Sequence, residues 1–141
     1  MKRTFTHTAL LILLFIASAF QVPETEGPPY TKAQIESFVR EVFGNQADAL
    51  VLKDNSPRLQ LIQNFLGRVA VLHKPELAGK KFKLLSSVAL QNKYNPTMTR
   101  DQVYHAATFN PLKYNLPMAS KQREVFRIDH SDYLIIIEPL Q

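Results

Sequence analysis

Apolar residues recur every third or fourth position early in the chain and every second position later on. That change of period points to a fold that combines helices with a sheet. Ile35, Phe38, Val39, Val42 and Phe43 share one helical face. Thr31 and Gln34 form a capping box ahead of them, with Tyr30 placed to staple onto Ile35. Gly44 stands where glycine commonly ends a helix. Ser56 followed by Pro57 is an N-cap with proline at the first helical position. Leu59, Ile62, Phe65, Leu66 and Val69 then continue on one face, and the second helix is expected to end near Gly67. Residues 47–52 fit a helical turn or a short extended piece, and residues 68–73 fit a strand or a helix tail.

From Lys80 the period is two. Phe82, Leu84, Ser86, Val88 and Leu90 alternate with Lys81, Lys83, Leu85, Ser87 and Ala89, the pattern of a strand with one buried and one partly wet face. Thr99 and Gln102 form a second capping box and predict a short helix. Residues 124–128 and 133–138 flank the turn Asp129-His130-Ser131-Asp132, and Tyr133 to Ile137 is apolar on both faces, so it belongs centrally in the sheet. The expected fold class is α+β: two N-terminal helices packed on a small antiparallel sheet, with a long connection rich in asparagine and proline.

The chain opens MKRTFTHTALLILLFIASAFQ. Lys2 and Arg3 precede an apolar run from Ala9 to Ala17, and Ala17-Ser18-Ala19 supplies the small residues that a signal peptidase reads. The run falls short of the roughly 20 residues that a membrane-spanning helix needs. No cysteine follows it, which excludes a lipoprotein anchor. Residues 1–20 are therefore expected to be a signal peptide, 21–30 a flexible tether rich in proline and glutamate, and 31–141 a single α+β domain. The mature chain of about 120 residues is long enough for one core. With no cysteine it depends on apolar burial rather than disulfides, which fits a bacterial periplasmic protein. Loss of Lys2 and Arg3 takes two charges from the formal +5 and leaves +3. A mild positive charge suits anionic surfaces without demanding nucleic acid.

Lys93-Tyr94-Asn95-Pro96 is echoed by Lys113-Tyr114-Asn115-Leu116-Pro117, with Phe109-Asn110-Pro111 between them. Asparagine before proline has a mechanical meaning: proline drives its predecessor toward extended conformations, and the asparagine amide bonds nearby backbone. Turn-and-packing chemistry is the favoured reading of the echo. The competing reading makes Tyr94 and Tyr114, with their lysines, an amphipathic platform for a sugar or peptide.

The segments FKLLSSVALQNKYNP, FNPLKYNLP and FRIDHSDYLIIIEP together resemble an uncharacterised family of short exported proteins from Bacteroidetes. The resemblance covers most of the mature chain. In that family the last turn more often reads like Asp-Gly-Thr-Asp-Tyr, from which His130 and Ser131 depart. The resemblance implies an exported, single-domain protein and assigns no activity or site.

The familiar chemistries find little purchase. Zinc needs three or four converging ligands, and His73, His105 and His130 are scattered without paired spacing. Asp129, His130 and Asp132 are also what a tight turn prefers. There is no GxSxG elbow, no thiol, and no glycine-rich loop among Gly27, Gly44, Gly67 and Gly79. No pair of carboxylates reads as a glycosidase couple. Lys80, Lys81 and Lys83 form the densest basic cluster, suited to an anionic envelope component or to guarding a sheet edge.

The expectation is a non-catalytic protein of the periplasm or extracellular space, with outer-membrane association open. It would need no cofactor or metal and would keep no transmembrane anchor after processing. It would bind another envelope protein or an anionic envelope component rather than nucleic acid, with Lys81, Lys83, Tyr94, Tyr104 and Tyr114 as candidate binding residues. A small-ligand or glycan-binding module using the tyrosine-rich loops is the alternative.

Overall fold

The computed structural model describes residues 30–141. The expected signal peptide, 1–20, and residues 21–29 of the expected tether lie outside the described residues. Helix α1 runs Lys32–Phe43 and begins where its capping box predicts. The Gln34 amide N–H donates to the Thr31 hydroxyl over 3.2 Å, and the Thr31 N–H donates to the Gln34 side chain over 2.9 Å. These bonds satisfy two of the donors a helix N-terminus leaves open. The Tyr30 ring meets Phe38 edge-on, with centroids 5.2 Å apart. Gly44 ends the helix at φ +52, and a Cβ there would lie 3.3 Å from the Tyr94 carbonyl oxygen. Glycine thus satisfies a left-handed φ and a close backbone approach at once.

The ambiguous stretch 47–52 is helical: a π-type turn, Asp48–Leu52, follows a 3₁₀ turn, and Ala47 between them and Val51 in the π turn are completely buried. Helix α2, Pro57–Leu66, is capped by the Ser56 hydroxyl, which accepts from the Leu59 N–H over 3.3 Å. Its buried face carries Ile62, Phe65 and Leu66, and Gly67 closes it.

The sheet has four strands among the described residues: β1 Val69–His73, β2 Lys83–Leu84, β3 Glu124–Arg127 and β4 Tyr133–Ile137, in the order β1-β4-β3-β2. Residues 68–73 therefore contribute a strand. β4 pairs antiparallel with both β1 and β3 and is central, as its two apolar faces predict. Val71, Ile135 and Phe126 share one cross-strand row, and all three are buried in the core cluster that also holds residues of both helices. The mixture of helices with a four-stranded sheet is consistent with an α+β fold.

Three expectations need correction. The strand expected from Lys80 onward has two residues, and it pairs parallel with β3, so the sheet is not wholly antiparallel. Local bonding breaks the strand: the chain turns through a 3₁₀ piece, Leu85–Ser87, where the Ser87 hydroxyl donates to the Leu84 carbonyl over 2.6 Å. The Ser86 N–H donates to the Asp129 carboxylate over 2.9 Å. Serine and aspartate side chains here compete with the ladder for backbone groups. The extended chain resumes at Ala89–Gln91 and pairs with residues 113–115, through Gln91 N–H to Lys113 O at 2.7 Å and Asn115 N–H to Ala89 O at 2.8 Å.

The box at Thr99 and Gln102 starts no helix; residues 99–108 are irregular. Arg100 reaches away to the Leu85 and Val88 carbonyls, and Asp101 is claimed by Lys113 and Tyr114. Tertiary bonds outweigh a few tenths of a kcal/mol of local preference there.

If the core row carries the fold, Ile135→Ala lowers unfolding stability by about 2–5 kcal/mol. Leu61→Ala, on the exposed side of α2, changes it by less than about 0.5 kcal/mol. Urea denaturation of both variants checks this; equal losses would contradict the packing described.

Candidate binding cleft

The two copies of the echo have different fates. Asn110, wholly buried, lies just ahead of the second: its amide nitrogen donates to the Phe38 carbonyl over 3.1 Å and to Glu41 over 2.9 Å. Its oxygen accepts the Leu112 N–H over 3.0 Å and so caps the 3₁₀ turn Pro111–Lys113. The Lys113 ammonium, its side chain only 6 % exposed, lies 2.7 Å from Asp101 and 3.4 Å from Glu41. The Tyr114 hydroxyl donates to the Asp101 carboxylate over 2.8 Å and accepts the Asp101 N–H over 3.2 Å. Tyr114, one of the candidate binding residues, is 1 % exposed and packs in the core. Burial, the largest influence, raises its hydroxyl above the ordinary tyrosine value.

The first copy faces outward. The Asn95 amide donates to the Glu41 carbonyl over 2.7 Å and pins the loop to the end of α1. The Tyr94 ring then stacks on Phe43, centroids 5.2 Å apart and planes 22° off parallel. The Lys93 ammonium sits 5.3 Å from the Tyr94 ring centre, and the Arg58 guanidinium 5.9 Å from that of Phe43. The result is a ladder of cation, ring, ring and cation assembled from α1, α2 and the loop. Each cation–ring contact at an exposed site contributes about 0.5–1 kcal/mol, and the stacked pair a similar amount.

This ladder borders a cleft of about 230 Å³. Val42, Ile62 and Leu112, all buried, lie beneath it, and Leu61, Gln91 and Met118 complete its lining. Leu61 is 69 % exposed. Beyond the ridge of Arg58 and Leu61 lies a wider, more open hollow of about 420 Å³, which Lys53 also lines. Neither hollow has an aspartate or glutamate in its lining.

The remaining candidates do not join this cleft. Lys81 is exposed beside β2, and Lys83 on β2 lies 3.5 Å from Glu124 with its ammonium 5.7 Å from the Phe126 ring centre. Tyr104 belongs to an aromatic group with Phe109 at 5.5 Å and Tyr133 at 4.3 Å; His73 is 4.9 Å from Tyr133. Tyr104 and Tyr114 share Phe109 as a neighbour, while Tyr94 packs on the end of α1. Arg58 and Leu61 were not read from the sequence as site residues. A signal was present: Leu61 is an apolar side chain off the α2 stripe.

The turn at residues 129–132 does structural work. His130 takes φ +55, the Ser131 hydroxyl donates to the Ile128 carbonyl over 2.7 Å, and Asp129 holds the Ser86 N–H. Partial burial would raise the Asp129 carboxyl, but the Ser86 bonds and the charge of His130 hold it below its ordinary value. Among the described residues no three His, Asp or Glu side chains gather as a metal site would require.

The unequal copies make two predictions. Lys113→Ala strands Asp101 and Glu41 beside a cavity and lowers stability by about 2–3 kcal/mol, less than a fully buried pair would because both carboxylates reach solvent. Lys93→Ala, which removes only an exposed cation–ring contact, lowers it by about 0.5–1 kcal/mol; matching losses in denaturant titrations would mean the copies are equivalent. For the tyrosines, burial pushes Tyr30 up to about 12 from 10.0, with Tyr114 raised further. Folded protein thus keeps protons that the unfolded chain has shed. The stability they confer is complete below pH 10 and is lost as the pH rises through about 12. Tyrosinate absorbance in alkaline titration of the folded protein should show Tyr30 and Tyr114 ionising well above 10.0; ionisation of these two at 10.0 would contradict this. Compared with protein-family models, curated proteins and solved structures, the chain matches none, so its function has to be read from its own geometry.

Proposed function

We propose that this chain is an exported cell-envelope protein, periplasmic or extracellular, that carries out no reaction itself and binds another envelope protein. The leader supports export: two cations, an apolar run and Ala17-Ser18-Ala19 in the order a signal peptidase requires. The polar groups that do converge, buried Lys113 and Tyr114 with the solvent-reaching Asp101, are engaged with one another, which favours structural work over catalysis.

The observation that carries the binding reading is the apolar cleft at the α1–α2 junction, with Leu61 held out in solvent between two hollows. Docking sites are apolar at the centre and polar at the rim, with aromatic residues and arginine enriched. A small-ligand or glycan site is the weaker reading, because drug-sized ligands occupy pockets of about 300–1,000 Å³ that bury most of their surface, whereas the smaller hollow is about 230 Å³ and the 420 Å³ one lies wide open.

Replacing Leu61 with a photo-crosslinking residue tests this in envelope fractions. A discrete protein adduct is expected, on a chain whose N-terminus follows Ala19 or Phe20. The same probe at Lys81 or Lys83 reports on the β2 edge instead. An adduct only from the edge moves the binding surface there. A leader retained uncut in the cytoplasm defeats the export reading.

A further inference from the structure

The rim of the cleft carries positive charge, and neither hollow has a carboxylate in its lining. Arg40, Lys74, Lys83, Lys113, Arg123 and Arg127 each have a carboxylate within 4.0 Å. Among the described residues Arg58 and Lys93 have none, as is true of Lys53 and of Lys80 and Lys81 elsewhere on the surface; what sets Arg58 and Lys93 apart is that each lies over an aromatic ring at the edge of the cleft. A ring face attracts a cation without neutralising it. The two heads therefore keep their full charge at the rim of an apolar hollow, and Lys53 extends the same sign into the neighbouring one. Low-dielectric walls lined by one sign of charge focus the field on an incoming anion.

Shape narrows the occupant further. The smaller hollow is bounded by one turn of α1, one turn of α2 and the short loop at residues 91–94, which suits one large side chain. Leu61 and Arg58 form a ridge between it and the wider hollow. An acyl tail needs one continuous furrow. An extended peptide can cross the ridge and drop side chains on either side of it. We infer that the cleft receives an acidic segment of a protein partner, with one aromatic or aliphatic anchor seated over Val42 and Ile62 and flanking carboxylates paired with Arg58 and Lys93. This rests on the interaction-module reading above and names the chemistry of its partner.

The probes are two synthetic peptides, one carrying a phenylalanine between glutamates and the other the same phenylalanine between lysines, followed by fluorescence anisotropy with the purified protein. The acidic peptide should bind, and more weakly as salt is added. Arg58→Glu combined with Lys93→Glu should weaken it by roughly tenfold or more and should let the lysine peptide bind in its place. Both side chains are on the surface, so the double variant should stay folded, its melting temperature lowered only by the several degrees that two lost ring contacts cost; Arg58→Gln with Lys93→Gln provides a milder check if it unfolds. Equal binding of both peptides, or indifference to the reversal, overturns the assignment. So does capture of phosphatidylglycerol vesicles by this face while the acidic peptide fails, since that points to a lipid surface. A Leu61 crosslink to a neutral or basic segment overturns this inference and leaves the interaction reading standing; no adduct from any surface defeats the reading itself.

Discussion

Lys113 holds an ammonium almost wholly out of water, between Asp101 at 2.7 Å and Glu41 at 3.4 Å. A buried charge is tolerated only when paired and hydrogen-bonded, and the pairing here spans three separate parts of the chain. Glu41 belongs to α1, Asp101 to the irregular connection, and Lys113 to the 3₁₀ turn that follows it. Asn110 adds bonds from the same turn to the Phe38 carbonyl and the Glu41 carboxylate. A long segment with little regular structure is thereby fixed to the first helix. Among the described residues no fully buried side-chain polar atom lacks a partner, the condition under which such a network rigidifies a core rather than weakening it.

The outward-facing ladder depends on that anchoring. Gln91 pairs with the Lys113 carbonyl, so the strand-like piece before Lys93 is held by the same turn that carries the buried lysine. Asn95 then ties the loop to the last turn of α1, and Gly44 admits the Tyr94 carbonyl where any side chain would crowd it. Tyr94 can stack on Phe43 because its backbone is placed from both sides. Packing in the core thus sets the geometry of a surface that binds nothing inside the molecule. This is how a rigid scaffold presents a loop for recognition.

Much of the local architecture was legible in the sequence. Thr31 with Gln34 and Ser56 with Pro57 mark helix starts because their bonds close within a few residues, and Gly44 and Gly67 mark the ends for the same reason. Tyr133–Ile137 announced a central strand because both of its faces are apolar. Errors arose where distant partners decided the outcome. Ser86 gives its N–H to Asp129, 43 residues away, and the expected long strand ends there. Arg100 and Asp101 bond elsewhere and leave the Thr99 capping box without a helix. The echo was the hardest case: Lys-Tyr-Asn reads the same twice. The buried copy differs by the company of Asn110, whose bond to Glu41 spans 69 residues. Both Asn-Pro steps do sit in turns, but only the fold separates the packed tyrosine from the surface one.

Native-state hydrogen exchange tests most directly whether the connection is part of the core or merely lies against it. The amides of Gln91 and Asn115 bond across to the connection's own backbone, and Ile135 sits in the central strand. If the buried lysine network joins these parts into one cooperative unit, the Gln91 and Asn115 amides open at free energies within about 1 kcal/mol of the Ile135 amide. Exchange of Gln91 and Asn115 through a local opening several kcal/mol easier than that of β4 would mean the connection comes loose by itself, and the account of how Tyr94 is held would be wrong.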